Sequence, residues 1–373
     1  MTSSHPHSRR QFFVFPCLLL AAVVFIGCGE VQKMAESVSE KVKSDFKKAK
    51  EELKEATGEV ETLSTDPNQN MNSPQLGDTA SESAKAANKK PKSAAEMLAT
   101  FHSTESGRVG DAMILMLASN PEAASQITEL KLSGDNPSIK SLEALSKFPN
   151  LERLTAARMK CLPGNMSFIG ALKKLKYLDI EFNDLNDSDF AEIDSLTNLE
   201  EINFGDTKIT DAGFKHFSRL SKLKIMRLKK VPNLNGSGFS FVPTSNLKEI
   251  YAETSAIGQR AFKILGGVKS IEVLHLDRSA VSIDAMKDLS RCTGLKKLSL
   301  QKNSLNDEGT KHLGKLKQLE ELSLKGNSNV TSRSFTELSK IKSLRHLNVM
   351  DTKCLSKHEA EFLKRVPGCK ILF

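Results

Sequence analysis

A phrase of alternating apolar residues returns every 24 residues through most of this chain, and no other property constrains its fold as tightly. It is plainest as LKYLDIEFNDL from Leu175, LEEINFGDTKI from Leu199 and LKKLSLQKNSL from Leu295. Aligned on the first apolar residue, copies begin at Ile127, Leu151, Leu175, Leu199, Leu223, Leu247, Ile271, Leu295 and Leu319, and a tenth begins at Leu344 after one inserted residue. Positions one, four and six of a copy are apolar between polar neighbours, the period of a short strand with one face buried. Position nine is a short polar residue in eight of the ten copies: Asp135, Asn183, Thr207, Ser255, Ser279, Asn303, Asn327 and Thr352. Such side chains suit the backbone amides left free where the chain turns out of a strand. Met159 and Val231 interrupt the column, and Pro232 follows Val231, so different turns are expected there.

The second half of a copy changes period. In TDAGFKHFSRL from Thr210, the residues Phe214, Phe217 and Leu220 recur at helical spacing behind a Thr-Asp start suited to capping. Each unit reads strand, turn, helix. One unit this short cannot bury both its faces, so stability has to come from neighbours stacked over a continuous core.

The pattern L-x-x-L-x-L-x-x-N/T-x-L/I followed by T-D-A-G-F-K-H-F resembles the leucine-rich repeat proteins of the helix-backed type, similar to ribonuclease inhibitor, over about residues 127 to 373. The ending VPGCKILF is similar to the close of many bacterial proteins of this kind. The resemblance implies an α/β solenoid with a curved parallel sheet on its concave face and helices on its convex face, preceded by an N-terminal helix. About ten repeats are expected over 127–355 and a cap over 356–373. The function it implies is protein binding, with the partner left open.

The N-terminus reads as an export signal. Arg9 and Arg10 precede an apolar run over residues 12–26, too short to span a bilayer and followed by small residues, which predicts a signal peptide over residues 1–27. Phe25-Ile26-Gly27-Cys28 resembles the lipobox of bacterial lipoproteins, with Phe25 in place of the usual leucine. That resemblance implies a lipidated Cys28 as the new N-terminus and a chain anchored at a membrane of the cell envelope. Acyl chains on a cysteine contribute about 0.8 kcal/mol per buried methylene, so several of them anchor stably. Gly29, in place of an aspartate, points to the outer membrane or an outer leaflet facing the periplasm or exterior. Ser8-Arg9-Arg10-Gln11-Phe12 resembles a twin-arginine signal, but paired basic residues open any secretory signal, and both export routes fit.

Beyond the anchor, Val31, Met34, Val38, Val42, Phe46, Ala49, Leu53, Ala56, Val60 and Leu63 fall in steps of three and four among lysines and glutamates. They form a narrow helical stripe over residues 28–63, broken from a strict heptad by three successive steps of four. A coiled-coil stalk that makes a homo-oligomer through residues 31–63 fits it, and so does a monomeric helix in solvent or on a membrane. Residues 64–93 contain almost no large apolar side chains and many turn formers, and read as a disordered linker. Over 94–126, Met97, Leu98 and Phe101, then Val109, Met113, Ile114, Met116 and Leu117, predict two short helices that cover the open end of the first repeat. A closing helix over 356–366 and a last strand over 371–373 are expected at the other end.

The net charge of +9 comes from lysine and arginine interleaved with acids along most repeats, as solvated faces require. With no tryptophan and no basic and aromatic alternation, no nucleic-acid partner is expected. Six cysteines show no metal-ligand spacing. Cys17 leaves with the signal, whereas most of Cys161, Cys292, Cys354 and Cys369 read as small apolar core residues, with a Cys354–Cys369 disulfide left to geometry. His216 and His312 share one place on the outer helix; His275 and His346 fall on solvent-pointing strand positions without a nucleophile motif beside them. No phosphate loop, dinucleotide fingerprint or paired zinc-binding histidines occur, so neither an enzyme nor a cofactor is expected.

Strand positions three, five and seven point away from the core and align as columns on the concave face. The chain's two tyrosines, Tyr177 and Tyr251, both fall there. With Ile225, Arg227 and Val273 between or beside them, and Lys229, Glu253, His275 and Asp277 nearby, they make a candidate protein-binding patch over repeats three to seven, because aromatics and arginine tend to carry interface energy. The plainer reading is tolerated surface, since scattered exposed apolar groups are ordinary. The expectation is an envelope lipoprotein that binds a protein on this face; the competing class is a structural spacer or scaffold that self-assembles through the N-terminal helix.

Overall fold

The computed structural model describes residues 93–104, 108–132, 137–159 and 166–373. The expected signal peptide, Cys28, the helix over 31–63, the linker through residue 92, Asp135 and Cys161 lie outside them. The repeats lie in the compact unit Asn88–Phe373.

There the alternating phrase becomes one parallel sheet of 12 strands in sequence order. They are β1 (Arg108–Val109), β2 (Glu129–Leu132), β3 (Arg153–Thr155), β4 (Tyr177–Asp179), β5 (Glu201–Asn203) and β6 (Ile225–Arg227). There follow β7 (Glu249–Tyr251), β8 (Val273–His275), β9 (Lys297–Ser299), β10 (Glu321–Ser323), β11 (His346–Asn348) and β12 (Lys370–Leu372). Equal positions of successive copies pair, as in Tyr177↔Glu201 and Arg227↔Tyr251, and the inserted residue is absorbed outside the ladder, which resumes at Glu321↔His346. Strands alternate with helices around this open sheet, the leucine-rich-repeat solenoid that the resemblance implies.

Positions one, four and six form the core. Leu175, Leu178, Ile180, Leu199, Ile202 and Phe204 are fully buried or nearly so, in one continuous apolar cluster. Phe190, Phe204, Phe214, Phe217, Phe239 and Phe241 pack ring against ring, with centroids 5.3 to 6.5 Å apart. Such pairs add about 0.5–1.5 kcal/mol each beyond the area they bury.

The turn out of each strand is a second repeating device. Position eight takes a left-handed conformation at Arg158, Phe182, Asp206, Lys230, Thr254, Arg278, Lys302 and Asp351, with φ from 52° to 61°; among the described residues only Gly326, at 73°, is a glycine there. A side chain held there costs about 1 kcal/mol, so neighbouring bonds must hold it. Position nine supplies them: Asn303 donates from Nδ2 to the Leu276 carbonyl at 2.8 Å and accepts at Oδ1 from the amides of Ser279 and Val281 at 3.0 and 3.1 Å. The different turns expected at Met159 and Val231 are not found, because Arg158 and Lys230 keep the left-handed conformation. Their amides keep the bond to position nine of the following copy that regular copies make: the Met159 amide donates to Asn183 Oδ1 and the Val231 amide to Ser255 Oγ, both at 2.9 Å.

The helical half also departs from expectation. Ser167–Ala171, Asp187–Ser195, Gly213–Arg219 and Ser237–Thr244 are 3₁₀ helices, whereas Gly258–Leu265 and Ile283–Leu289 are α-helices. A 3₁₀ helix rises about 2.0 Å per residue against about 1.5 Å for an α-helix, so few residues can run the depth of the sheet. Pro243, without an amide hydrogen, sits inside one of them. The Thr-Asp start caps differently as well: Asp211 accepts from the amides of Asn235, Gly236 and Gly238 in the following copy, at 2.6, 3.0 and 2.6 Å.

Ahead of the repeats the structure has three helices where two were read, Ala94–His102, Asp111–Ala118 and Pro121–Gln126. The third has no apolar stripe to announce it; Asn120 caps it at the amides of Glu122 and Ala123, and Ala123 and Ala124 are its buried side. Strand β1 pairs with β2, so this segment extends the sheet as well as lying over its end. At the other end a 3₁₀ turn, Ser356–His358, precedes the helix Glu359–Arg365, and β12 begins one residue before the expected strand. Cys292, Cys354 and Cys369 are free thiols, so Cys354 and Cys369 are not bridged. Burial pushes the Cys292 thiol up to about 12 and that of Cys369 to about 11, which keeps both protonated at neutral pH.

Candidate protein-binding face

Each three-residue strand buries its middle residue and turns the flanking two to the open side of the sheet, as in β4 through β7. Parallel pairing in register then sets each such residue beside its counterpart 24 positions on, and contacts between repeats build the face.

The centre of the face is one chain of contacts. Arg227 Nε donates to Glu201 Oε1 at 2.8 Å, and its guanidinium carbon lies 4.1 Å from the Tyr251 ring centroid. The Tyr251 hydroxyl donates to Glu249 Oε2 at 2.8 Å, and its ring lies 4.8 Å from that of His275. His275 Nδ1 is 3.5 Å from Glu253 Oε1. Three strands earlier, Arg153 lies over Tyr177 at the same 4.1 Å. Stacking of a guanidinium on an aromatic face is worth about 0.5–1 kcal/mol at an exposed site and more when desolvated.

The electrostatics follow from crowding. Burial works against the charge of Arg227, but the bond to Glu201 and its negative charge outweigh it and raise the guanidinium further above its usual range. Burial raises the Tyr251 phenol, and its bond to Glu249 adds to that. Tyr177 is raised by burial and by the charges of Asp179 and Glu201. Burial also lifts the Asp179 carboxyl above its usual range against the pull of the Glu181 amide, with Glu181 and Glu201 adding like charge. Glu253 is lowered: burial opposes its charge, but the bond from His275 prevails.

Of the nine candidate residues, Arg227, Tyr251, His275 and Glu253 fall in one contact network. Tyr177 and Tyr251 are half-buried, and the neighbouring arginine covers one face of each ring. Ile225 is partly open between Glu201 and Glu249, and Lys229 is exposed just past the end of β6. Val273 offers almost no surface, being 9% exposed, because Glu249 and Lys297 flank it in register with longer side chains. Asp277 accepts from Ser299 Oγ at 2.5 Å and the Gln301 amide at 2.8 Å, so it braces the next strand. Arg153, Glu201 and Glu249 were not among the candidates. The 24-residue register already sets Arg153 beside Tyr177 as it sets Arg227 beside Tyr251, and that signal is enough to find Arg153.

Towards the C-terminal end the face opens into a depression of about 340 Å³, lined by residues that include Lys297, Ser299, Glu321, Ser323, His346 and Lys370. Among the described residues Ser323 Oγ, buried there, has no hydrogen-bond partner. Among the described residues, no group of three or more histidine, cysteine or acidic side chains is arranged to hold a metal ion.

The family model described as Leucine Rich repeat matches residues 171–189, which contain β4 and the start of the 3₁₀ helix behind it. With the parallel sheet, this match fits a leucine-rich repeat protein. No curated protein matches the chain.

Proposed function

We propose that this chain is an anchored binding protein: a lipoprotein of the cell envelope, held at a membrane through Cys28, whose repeat array binds a protein partner on the open face of its sheet. The leucine-rich repeat suggests protein binding in general, and the fold is typically a binding scaffold without catalysis. The observation that carries the choice of face is the network of Glu201, Arg227, Tyr251, His275 and Glu253. Its arginine and aromatic side chains are held in place before a partner arrives, so less rotamer entropy is lost on binding. The export signal and the lipobox-like Phe25-Ile26-Gly27-Cys28 support the location, and Gly29 supports the outer membrane or outer leaflet.

Affinity capture from envelope extracts with the full-length chain tests the face. A partner retained by wild type and lost by an Arg227→Ala, Tyr251→Ala variant of unchanged circular dichroism and melting temperature supports it. Capture of the same partners by both sinks it. The apolar steps over residues 31–63 favour a second reading, a spacer that self-assembles through that helix. Sedimentation of the mature chain as a monomer at micromolar concentration excludes it.

A further inference from the structure

We infer that the depression over β9–β12 seats the carboxylates of an acidic segment in the protein partner. The inference rests on the open sheet face being the binding face, and it adds the chemistry of what is bound at this end.

The depression exists because side chains at strand position five shrink. That column carries Arg227, Tyr251 and His275 on β6 to β8, then Ser299, Ser323 and Asn348 on β9 to β11. Large interlocked groups give way to small ones, and the floor drops over three adjacent strands before Leu372 follows on β12.

The charge changes sign at the same place. Asp179, Glu201, Glu249 and Glu253 crowd the middle of the face around Arg227. Lys297 and Lys370 line the depression beside the His346 imidazole, with Glu321 as the only acid on its lining, and Glu321 is paired with Lys297 at 2.8 Å. Neither Lys370 nor His346 makes an ion pair among the described residues. A cationic segment has its complement in the middle of the face, and an anionic one has it here.

The orphaned hydroxyl of Ser323 selects within that class. A buried hydroxyl without a partner is costly, and rotation of the Ser323 side chain toward the trough lets an incoming carboxylate oxygen accept from it, which an alkyl side chain cannot. Leu372, 56% exposed beside Lys370, gives the same depression an apolar margin. Cations, a donor and an apolar rim in one open trough suit a peptide that alternates acidic and apolar residues better than a free anion.

The test uses the full-length chain and a fluorescently labelled peptide of alternating glutamate and leucine, followed by anisotropy. Controls are the same peptide with glutamine for glutamate, one with lysine for glutamate, and inorganic phosphate as competitor. We expect the glutamate peptide to bind, to weaken as salt is raised, and to lose about tenfold in affinity in Lys370→Ala and His346→Ala. Ser323→Ala should weaken it by a smaller factor, and Lys287→Ala, exposed on the helix Ile283–Leu289 away from the strand face, should leave it unchanged. Equal binding of the glutamine peptide, preference for the lysine peptide, or indifference to Lys370→Ala and His346→Ala overturns the inference. So does phosphate binding with no peptide binding, the result for a small-anion site only. If these variants bind the captured partner normally while Arg227→Ala, Tyr251→Ala does not, the depression fails and the binding face stands. If neither set affects capture, the face itself fails.

Discussion

Asn327 and Asn303, one repeat apart, are directly bonded: Oδ1 of Asn327 accepts from the Asn303 backbone amide at 3.0 Å. Asn303 does the same for the Ser279 amide, also at 3.0 Å, so two buried asparagines tie three successive turns together. Each also donates from Nδ2 to the strand before it, Asn303 to the Leu276 carbonyl and Asn327 to that of Leu300. Asn303→Ala strands those groups out of reach of water and should cost about 2–4 kcal/mol, read by urea denaturation, since each orphaned buried group costs about 1–3 kcal/mol. A loss below about 1 kcal/mol would falsify the claim that this column holds the left-handed turns.

Phe204 touches Phe190, Phe214 and Phe217 from the strand side of the core. Phe204→Ala should destabilise the array by about 3–5 kcal/mol, in the range for large aromatic deletions from a packed interior. The same variant should lower the unfolding midpoint as one cooperative transition, because stacked units share their core. A separate early transition, with the rest melting as in wild type, would show that the rings stabilise only their own repeats.

Two aspartates should respond to pH in opposite senses. Asp307 works against its burial, but bonds from Ser334 and Thr331 hold its pKa below the ordinary 3.8. Its contribution is present above 3.8 and lost as pH falls through the depressed folded value, so Asp307→Asn should weaken the protein at pH 7 and matter less in acid. Asp179 is raised above 3.8 by burial, so its ionised form opposes folding at neutral pH. Asp179→Asn should raise the melting temperature at pH 7, with the gain shrinking below the folded value and gone under about 3.8. Parallel pH profiles for the two variants would contradict at least one of the two assignments.

For the anchor, radiolabelled fatty acid fed to cells should appear in wild-type protein and be absent from Cys28→Ala. The variant should also move from the membrane fraction to the soluble one. Equal labelling of the two proteins removes the lipid anchor from the proposal.

The helical backing shows where a signal was present in the sequence but read too coarsely. Phe214, Phe217 and Leu220 are spaced by three and three, the 3.0-residue period of a 3₁₀ helix rather than 3.6. Asp211 shows a signal that was absent: its type suits an N-cap, yet the amides it serves begin 24 residues away at Asn235. The candidate patch divides in the same way. Columns and register place Arg227 beside Tyr251 from the period alone, whereas the covering of Val273 depends on how long its neighbours on β7 and β9 are.

The sequence by itself determined the repeat, the pairing register, the buried positions one, four and six, and which residues share a column, because all of these follow from a local alternation copied at a constant period. Tertiary structure decided the rest. Whether a column residue is surface, brace or floor depends on side chains one strand away, and only stacking brings those together. Ser299, Ser323 and Asn348 are ordinary polar residues in their own copies; beside one another, after Arg227, Tyr251 and His275, they make a trough.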